Sequence, residues 1–183
     1  MKHVLLFLSV GLLAACNAND SAKVQSMKKT DSTAHSENVT YPYSPSYPAN
    51  FAIGSAANSK TILDLAKDWD NNNLDHSKQF FADTVTMFTA DGNMMRGPAD
   101  SIIAAAKPYR KSLGTVTSTV HAWTPLKATD KDENWVLLWY TEYKTAADGK
   151  KDSTEYQETW RLNKEGKADM MLQYKRNNPP VKK

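Results

Sequence analysis

The order of helical and strand-like segments is the feature that most constrains the fold. Four long segments of alternating or continuous apolar character fill the C-terminal half of the chain, at 115–123, 135–143, 154–162 and 168–174. Asp148-Gly149 and Glu165-Gly166 are turn signals between the last three segments. Strands that follow one another across short turns pair with their neighbours, so we predict an antiparallel meander.

Three helical stretches precede these strands. The first carries apolar side chains at helical spacing, namely Ile62, Leu63, Leu65, Ala66 and Trp69. The second covers 74–81, a short strand covers 84–88, and the third helix covers 101–109 after Gly97-Pro98. Helices first and strands after predict an α+β fold, with three N-terminal helices packed on one face of a curved antiparallel sheet. We place this domain at 58–177 and a basic tail at 178–183.

The N-terminus has the pattern of a targeting segment. Lys2 supplies a positive charge, and an apolar run of 12 residues follows at 4–15. A helix of that length rises about 18 Å, which is short of the roughly 30 Å hydrocarbon core of a bilayer. The run therefore predicts a signal peptide rather than a membrane span. Leu13-Ala14-Ala15-Cys16 resembles the lipobox of bacterial lipoproteins.

The lipobox resemblance implies cleavage before Cys16 and acylation of its thiol, including a palmitate-type chain. Two or three acyl chains anchor a protein stably, so we expect a membrane-anchored protein of the bacterial cell envelope. Asn17 favours the outer membrane over the inner one in a Gram-negative cell. The alternative is an ordinary secretory signal with an accidental cysteine. Residues 16–57 then predict a flexible tether, in which the Tyr-Pro segment 41–48 is either a linker or a binding segment.

The composition and spacing disfavour several classes of site. The chain of 183 residues has 23 basic and 20 acidic residues, which gives no nucleic-acid footprint. One Cys excludes an internal disulfide. No two His residues stand at i, i+2 or i, i+4, so we expect no metal site, and with seven Gly in the whole chain we expect no phosphate loop and no cofactor.

The domain resembles the nuclear-transport-factor-like superfamily, the cone-shaped fold of ketosteroid isomerases and SnoaL-like cyclases. The resemblance rests on four stretches: 69–75 (WDNNNLD), 80–83 (FFAD), Asp91-Gly92 with Arg96-Gly97, and 158–167 (ETWRLNKEGK). It implies a cone with a cavity between the helices and the sheet. Because this fold has many functions, the resemblance says little about activity.

Ketosteroid isomerases use three catalytic residues, and the alignment gives a counterpart in this chain for only one of them. The base position falls on Phe88 or a neighbour, and the Tyr donor of the first helix aligns with Leu65. Only the acid on the third long strand has a counterpart, Glu158. An enolisation site needs both a base and oxyanion donors, so the isomerase reaction is not supported. Whether the chain is an enzyme is left open, with the balance against it. His121 is a weaker candidate for a base.

The same alignment implies which residues face the cavity. They are Leu65, Trp69, Phe88, Leu137, Trp139, Thr141, Trp160, Met171 and Gln173, around Glu158. This set suits a small flat apolar ligand with a polar handle, or it simply fills the cone. For Glu158 we expect a partner in Lys175, a Tyr hydroxyl or Arg161, of which Arg161 is the weakest because it lies on the opposite face.

Three functions remain open. The leading one is a lipid-anchored module that binds a small apolar ligand or a protein partner, including a homodimer formed through the sheet face that carries Val136, Leu138 and Tyr140. The second is a SnoaL-like isomerase or cyclase in which Glu158 acts as acid or base. The third is a structural envelope protein with a filled cone.

Overall fold

The structure is a computed structural model that describes residues 40–45 and 50–177. The chain divides into two compact units, Met1–Pro42 and Tyr43–Lys183, and the elements below belong to the second. The predicted signal peptide, the lipidation site at Cys16, most of the tether and the basic tail lie outside the described residues. Within the described ranges, no helix is both long and apolar enough to cross a membrane.

Three helices and seven strands form the domain. The helices are α1 (Ala56–Asp70), α2 (Leu74–Ser77), which continues into a 3-10 turn at Lys78–Phe80, and α3 (Ala99–Ser112). The strands are β1 (Phe51–Ile53), β2 (Phe81–Phe88), β3 (Met94–Pro98), β4 (Thr115–Ala128), β5 (Glu133–Thr145), β6 (Lys151–Leu162) and β7 (Ala168–Asn177). The predicted α+β class, with three helices on one sheet, is confirmed.

The sheet has the strand order β1-β4-β5-β6-β7-β2-β3. The predicted antiparallel meander is present from β4 to β7. However, β2 pairs with β7 in parallel, so the sheet is mixed rather than wholly antiparallel. The reason is the long connection: β3, α3 and the first three strands of the meander separate β2 from β7 in the chain, so no tight turn forces the two strands to be antiparallel.

Two short strands were not predicted. β1 lies inside the predicted tether, and its three residues pair with the end of β4, so the ordered domain begins before residue 58. β3 pairs with β2 across the Asp91-Gly92 turn. Both strands are short and lie at the edges of the sheet, where side chains remain exposed and the sequence shows no clear alternation.

The main core lies between α1 and the inner face of the sheet, which we define as the face that carries Val136, Leu138, Trp160 and Leu162. These side chains pack with Ile62 and Leu65 of α1, and with Tyr140, Ala168 and Met171. A smaller cluster joins α3 to β2 through Val85, Ala99 and Ile102. The opposite face of the sheet is called the outer face below.

Arg110 connects the end of α1 to α3. Its guanidinium donates hydrogen bonds to the carbonyl oxygens of Trp69 (2.5 Å), Asp70 (2.9 Å) and Gly114 (3.0 Å). The last carbonyls of a helix have no partner within the helix, so this side chain satisfies them. Gly114 has a φ of +70°, and a Cβ there would lie 2.3 Å from the carbonyl oxygen of Thr145. A side chain at this position would displace β4 from β5.

Candidate functional site

Glu158 is buried on the inner face, and both of its carboxylate oxygens accept hydrogen bonds. Oε1 accepts a hydrogen bond from the Tyr140 hydroxyl (2.8 Å) and from Nε2 of Gln173 (2.8 Å). Oε2 accepts from Nε1 of Trp160 (2.8 Å). Only 6% of the residue is exposed. A carboxylate with three donors at this distance is held in one orientation, and its burial is compensated.

One of the three partners of Glu158 is therefore a Tyr hydroxyl, which was one of the predicted possibilities. Lys175 instead contacts Asp91 in the β2–β3 turn. Arg161 pairs with Asp169 (2.8 Å) and lies near Glu133 (3.8 Å), on the outer face as expected. The Tyr140 hydroxyl is held in its protonated form, since burial, followed by the nearby Glu158 charge, raises the pKa of Tyr140 well above its usual value.

The predicted facing of β5 is wrong by one residue. Val136, Leu138 and Tyr140 were expected on the exposed face, but all three are buried in the main core. Since side chains alternate along a strand, Leu137, Trp139 and Thr141 lie on the outer face and line no cavity in the cone. Both faces of this strand are apolar, so its sequence pattern does not indicate which face is covered.

Phe88 also lies on the outer face. Its neighbour Met87 packs against the main core, and Phe88 itself pairs with Met94 and Leu172 and is 38% exposed. His121 is exposed at a bulge in β4, where Nε2 lies 2.8 Å from the Thr141 hydroxyl. These residues are therefore separated by the sheet from Glu158.

The other predicted cavity residues lie on the inner face of the sheet or on α1. Leu65, Trp160 and Met171 are in the main core, and Gln173 contacts Glu158. Trp69 is half-buried on α1, and its Nε1 donates to Oε2 of Glu142 (2.7 Å).

Glu142 is a second buried acid of the inner face, and sequence reasoning missed it. It is 3% exposed, and besides Trp69 its closest charged contact is Lys144, with Nζ 3.9 Å from Oε1. Burial raises the pKa of Glu142, while the Trp69 hydrogen bond and the charge of Lys144 oppose this shift. A hairpin register counted from the Asp148-Gly149 turn would have revealed it, because that turn pairs Leu138 with Glu158.

Aromatic rings surround the two acids. Tyr140 and Tyr156 stack with centroids 5.3 Å apart, and burial raises the pKa of Tyr156. The Trp69 ring lies 6.2 Å from Tyr109 of α3, which is half exposed, and 5.7 Å from the Arg110 guanidinium. Among residues 40–45 and 50–177, no group of three or more His, Cys, Asp or Glu side chains could hold a metal ion.

Among the surface depressions of the described part of the chain, two lie beside the helices. One, of about 460 Å³, lies between α1 and the segment formed by α2 and the 3-10 turn. The other, of about 260 Å³, lies beside Asn72, Leu74 and Lys107. Neither is lined by Glu158 or Glu142. The interior of the cone around Glu158 is occupied by its own side chains.

Comparison with solved structures identifies the architecture. The chain is similar to a LEH-like epoxide hydrolase from M. tuberculosis (TM-score 0.55, 9% identity, covering 67% of this chain and 84% of that one). It is also similar to an NTF2-like protein of unknown function from Burkholderia pseudomallei (TM-score 0.53, 14% identity, 68% and 92% covered). This domain has the NTF2-like fold.

A third similar structure is a protein with a ketosteroid isomerase-like fold from Catenulispora acidiphila, in complex with trimethylamine (TM-score 0.52, 14% identity, 63% and 84% covered). No protein-family model matches the sequence, and no curated protein matches it. The NTF2-like resemblance read from the sequence is thus confirmed at the level of the fold.

Within the NTF2-like cone, the chain keeps an acid on β6 but differs from a ketosteroid isomerase around it. Leu65 is a core residue in place of the Tyr donor, and Phe88 faces away from the cone. Asp91, the first acid beyond Phe88, lies in a turn against Lys175. The inner face thus contains hydrogen-bonded acids and aromatic rings, without a base beside Glu158 in the described residues.

Proposed function

We propose that this chain is a lipid-anchored protein of the bacterial envelope whose domain associates with a second copy of itself through the outer face of the sheet. The observation that carries the proposal is a row of neighbouring side chains across five strands: Leu137, Thr159, Leu172, Phe88 and Met94. We call this row the outer strip. Phe88 is 38% and Met94 62% exposed.

Further aromatic side chains extend the outer strip. Trp139 and Tyr174 lie on the two sides of Gln157 in the adjacent row, and Tyr174 is 58% exposed. A contiguous exposed apolar surface of this kind is typical of a protein interface. A stable interface buries about 800 Å² on each partner, an area that a face of five strands can provide.

The charges near the outer strip are compatible with a second copy as the partner. In a two-fold dimer the same surface meets itself, so unpaired like charges at its centre would repel. The polar residues within the two rows, Thr159 and Gln157, are neutral. In the next row Arg161 is balanced by Asp169 and Glu133. The surface is therefore compatible with its own copy.

Sedimentation analysis of the mature chain tests this association. To keep the protein soluble, Cys16 is replaced by Ala. We expect a dimer that Leu137→Glu or Trp139→Glu converts to a monomer without loss of the circular dichroism spectrum. Tyr109→Glu, at an exposed aromatic residue of α3, is the matched control and leaves the dimer intact. A monomeric parent protein, or a dimer that survives both outer-face substitutions, would contradict the proposal.

The anchor is supported by the lipobox at Leu13-Ala14-Ala15-Cys16. Cys16 is the only thiol, so Cys16→Ala removes the acylation site entirely. We expect this variant to be recovered without detergent, whereas Ser21→Ala stays with the membranes. In a Gram-negative host we expect the parent protein in the outer membrane fraction. A Cys16→Ala variant that still requires detergent would show that the anchor is elsewhere.

Glu142 supports a second candidate function, the binding of a small flat ligand beside Trp69 and Tyr109. Its carboxylate has one neutral donor, Trp69, and aromatic rings nearby, and Tyr109 and Trp69 connect it to the surface. A carboxylate next to aromatic rings suits an amine cation, and one protein of this fold is in complex with trimethylamine. Native mass spectrometry of protein purified from its own host tests this: a bound small molecule that is lost in Glu142→Gln is expected.

The enzyme alternative has less support. An acid or base at Glu158 needs a free oxygen toward a substrate, and both oxygens already accept hydrogen bonds from Tyr140, Gln173 and Trp160. The filled interior equally supports the third function, a structural protein, which differs from the first only in whether the outer strip has a partner.

A further inference from the structure

The depression between α1 and the 3-10 turn has chemistry that the proposed function does not use. We call it the α1 groove. It is lined by Lys60, Asp64, Lys67, Asp68, His76, Gln79 and Phe80 and has a volume of about 460 Å³. The groove lies on the helical side of the domain, away from the outer strip. A phosphate or a carboxylate group is much smaller than this volume.

A buried carboxylate orients the imidazole of His76. Nδ1 lies 2.8 Å from Oδ2 and 3.0 Å from Oδ1 of Asp68, which is 6% exposed. The Ser77 hydroxyl donates a further hydrogen bond to Oδ2 (3.2 Å). A carboxylate only accepts hydrogen bonds, so Nδ1 carries the proton and Nε2 is the variable position. The ring also packs edge-on against Phe80, with centroids 5.5 Å apart.

A side-chain amide lies at the opposite edge of the imidazole ring. Nε2 of His76 lies 2.6 Å from the amide nitrogen of Gln79, an exposed side chain. While the imidazole is neutral, that amide donates to the lone pair of Nε2. When Nε2 takes up a proton, the two become donors that face each other, and Gln79 has to turn away. Both groups can then donate to a third atom.

The two lysines and two carboxylates that line the groove balance, so a proton on His76 adds one net positive charge. On α1, Lys60 pairs with Asp64 (2.5 Å), and Lys67 is exposed beside them. From the β6–β7 turn, the ammonium of Lys167 contacts the carbonyl oxygen of Gln79. Asp68 lies behind the imidazole and is balanced by it once His76 is protonated. No other charged residue lines the groove within the described residues.

We propose that the α1 groove binds an oxyanion, the phosphate or carboxylate group of a ligand, between Nε2 of His76, the Gln79 amide and the Lys67 ammonium. Asp68 acts as a positioning residue. Its contact with Nδ1 fixes the imidazole ring, and Nε2 therefore points away from Asp68. A free ion and a lipid headgroup present the same oxyanion to these donors. Phe80 supplies an apolar wall for whatever the anionic group is attached to.

Proton NMR of the imidazole signals tests the site. The mature chain with Cys16→Ala keeps three His residues, because the fourth of the chain, His3, is in the signal peptide. His76→Gln assigns the His76 signal. We expect inorganic phosphate and acetate to shift that signal saturably, and to leave the signal of His121 in place. Nε2 donates to the anion only while the imidazole is protonated, so affinity should fall about tenfold or more as the pH is raised.

The variants separate a binding role from a folding role. His76→Gln should remove the pH dependence of binding, and Lys67→Gln should weaken binding by about threefold or more at low salt, as expected for the loss of one charge-assisted contact. His121→Gln and Lys151→Gln are the matched controls at exposed positions elsewhere. Asp68→Asn should weaken binding although Asn still accepts from Nδ1. Unfolding in urea checks that each variant is folded.

A comparison of lipid vesicles tests whether the anion is a lipid headgroup or a soluble ion. Vesicles of phosphatidylcholine with phosphatidylglycerol are compared with vesicles of phosphatidylcholine alone. A shift of the His76 signal with the anionic vesicles but not with free ions identifies a lipid headgroup, and a shift with free phosphate or acetate identifies a soluble anion. No shift in any arm, or the same binding in His76→Gln at every pH, would overturn the proposal. Its failure would leave the outer-strip dimer unaffected, because the two surfaces share no residue.

Discussion

The two faces of β5 have similar composition and different environments. On the inner face, Val136 and Leu138 are fully buried and Tyr140 donates to Glu158. On the outer face, Leu137 and Trp139 are half-buried, and no helix covers them in the described domain. The helices, not the hydrophobicity of the strand, decide which face becomes core. An apolar strand residue is therefore evidence of a core only where something covers it, and elsewhere it suggests an interface.

The largest expected difference between the faces concerns their tryptophans. Trp160→Ala should lower the free energy of unfolding by about 3–5 kcal/mol, because it removes a buried ring and one donor to Glu158. Trp139→Ala should lower it by less than about 1 kcal/mol, as a residue away from the core. Urea unfolding at a protein concentration where the chain is monomeric measures both. Equal losses would mean that the outer face is covered in the isolated chain.

The acids of β6 give the next largest difference. Glu158→Gln keeps the size of the side chain but places an amide among three donors, and we expect a loss of about 1–3 kcal/mol. Glu155→Gln lies on the same strand and on the outer face, in an exposed pair with Arg176, and should lose less than about 1 kcal/mol. If Glu158→Gln kept its melting temperature and lost ligand binding, Glu158 would be a functional acid.

Much of this architecture could be predicted from the sequence. Alternation and turn signals located β4 to β7, and helical spacing located α1 and α3, because those segments each cover one buried face. The parallel pairing of β2 with β7 could not be predicted, since it depends on where a distant edge lies after the meander has formed. The short edge strands β1 and β3 bury too little to impose a pattern.

The candidate site was predicted less well, for a related reason. Glu158 was found because an acid between apolar neighbours is conspicuous, and its Tyr partner was anticipated. Tyr140 was placed on the wrong face and Glu142 was missed, because a shift of one residue exchanges the two faces of a strand. The Asp68–His76 pair is eight residues apart and spans the end of α1, so neither helical nor strand spacing reveals it.

Glu142 allows a test of the inner face by pH. Its folded-state pKa is raised by burial, so between the ordinary carboxyl pKa and the raised one the folded state binds more protons than the unfolded state. This contribution to stability is present at low pH and is lost as pH rises through that window. Glu142→Gln should flatten this decline in the urea midpoint. Glu165→Gln, at an exposed acid, should keep the parent profile, and an unchanged profile in Glu142→Gln would mean that the carboxylate ionises as it does in water.

The smallest effect is expected at His121, on the outer face. It lies at the bulge of β4, is exposed, and shares a hydrogen bond of 2.8 Å between Nε2 and the Thr141 hydroxyl. Glutamine can make an equivalent contact, and surface substitutions of this kind change stability by about 0.5 kcal/mol or less. His121→Gln should therefore leave both the unfolding curve and the dimer unchanged. If it instead abolished the dimer, the interface would extend from the outer strip onto β4, and Thr141→Val, which leaves the imidazole in place, would then show whether the ring itself or its hydrogen bond is required.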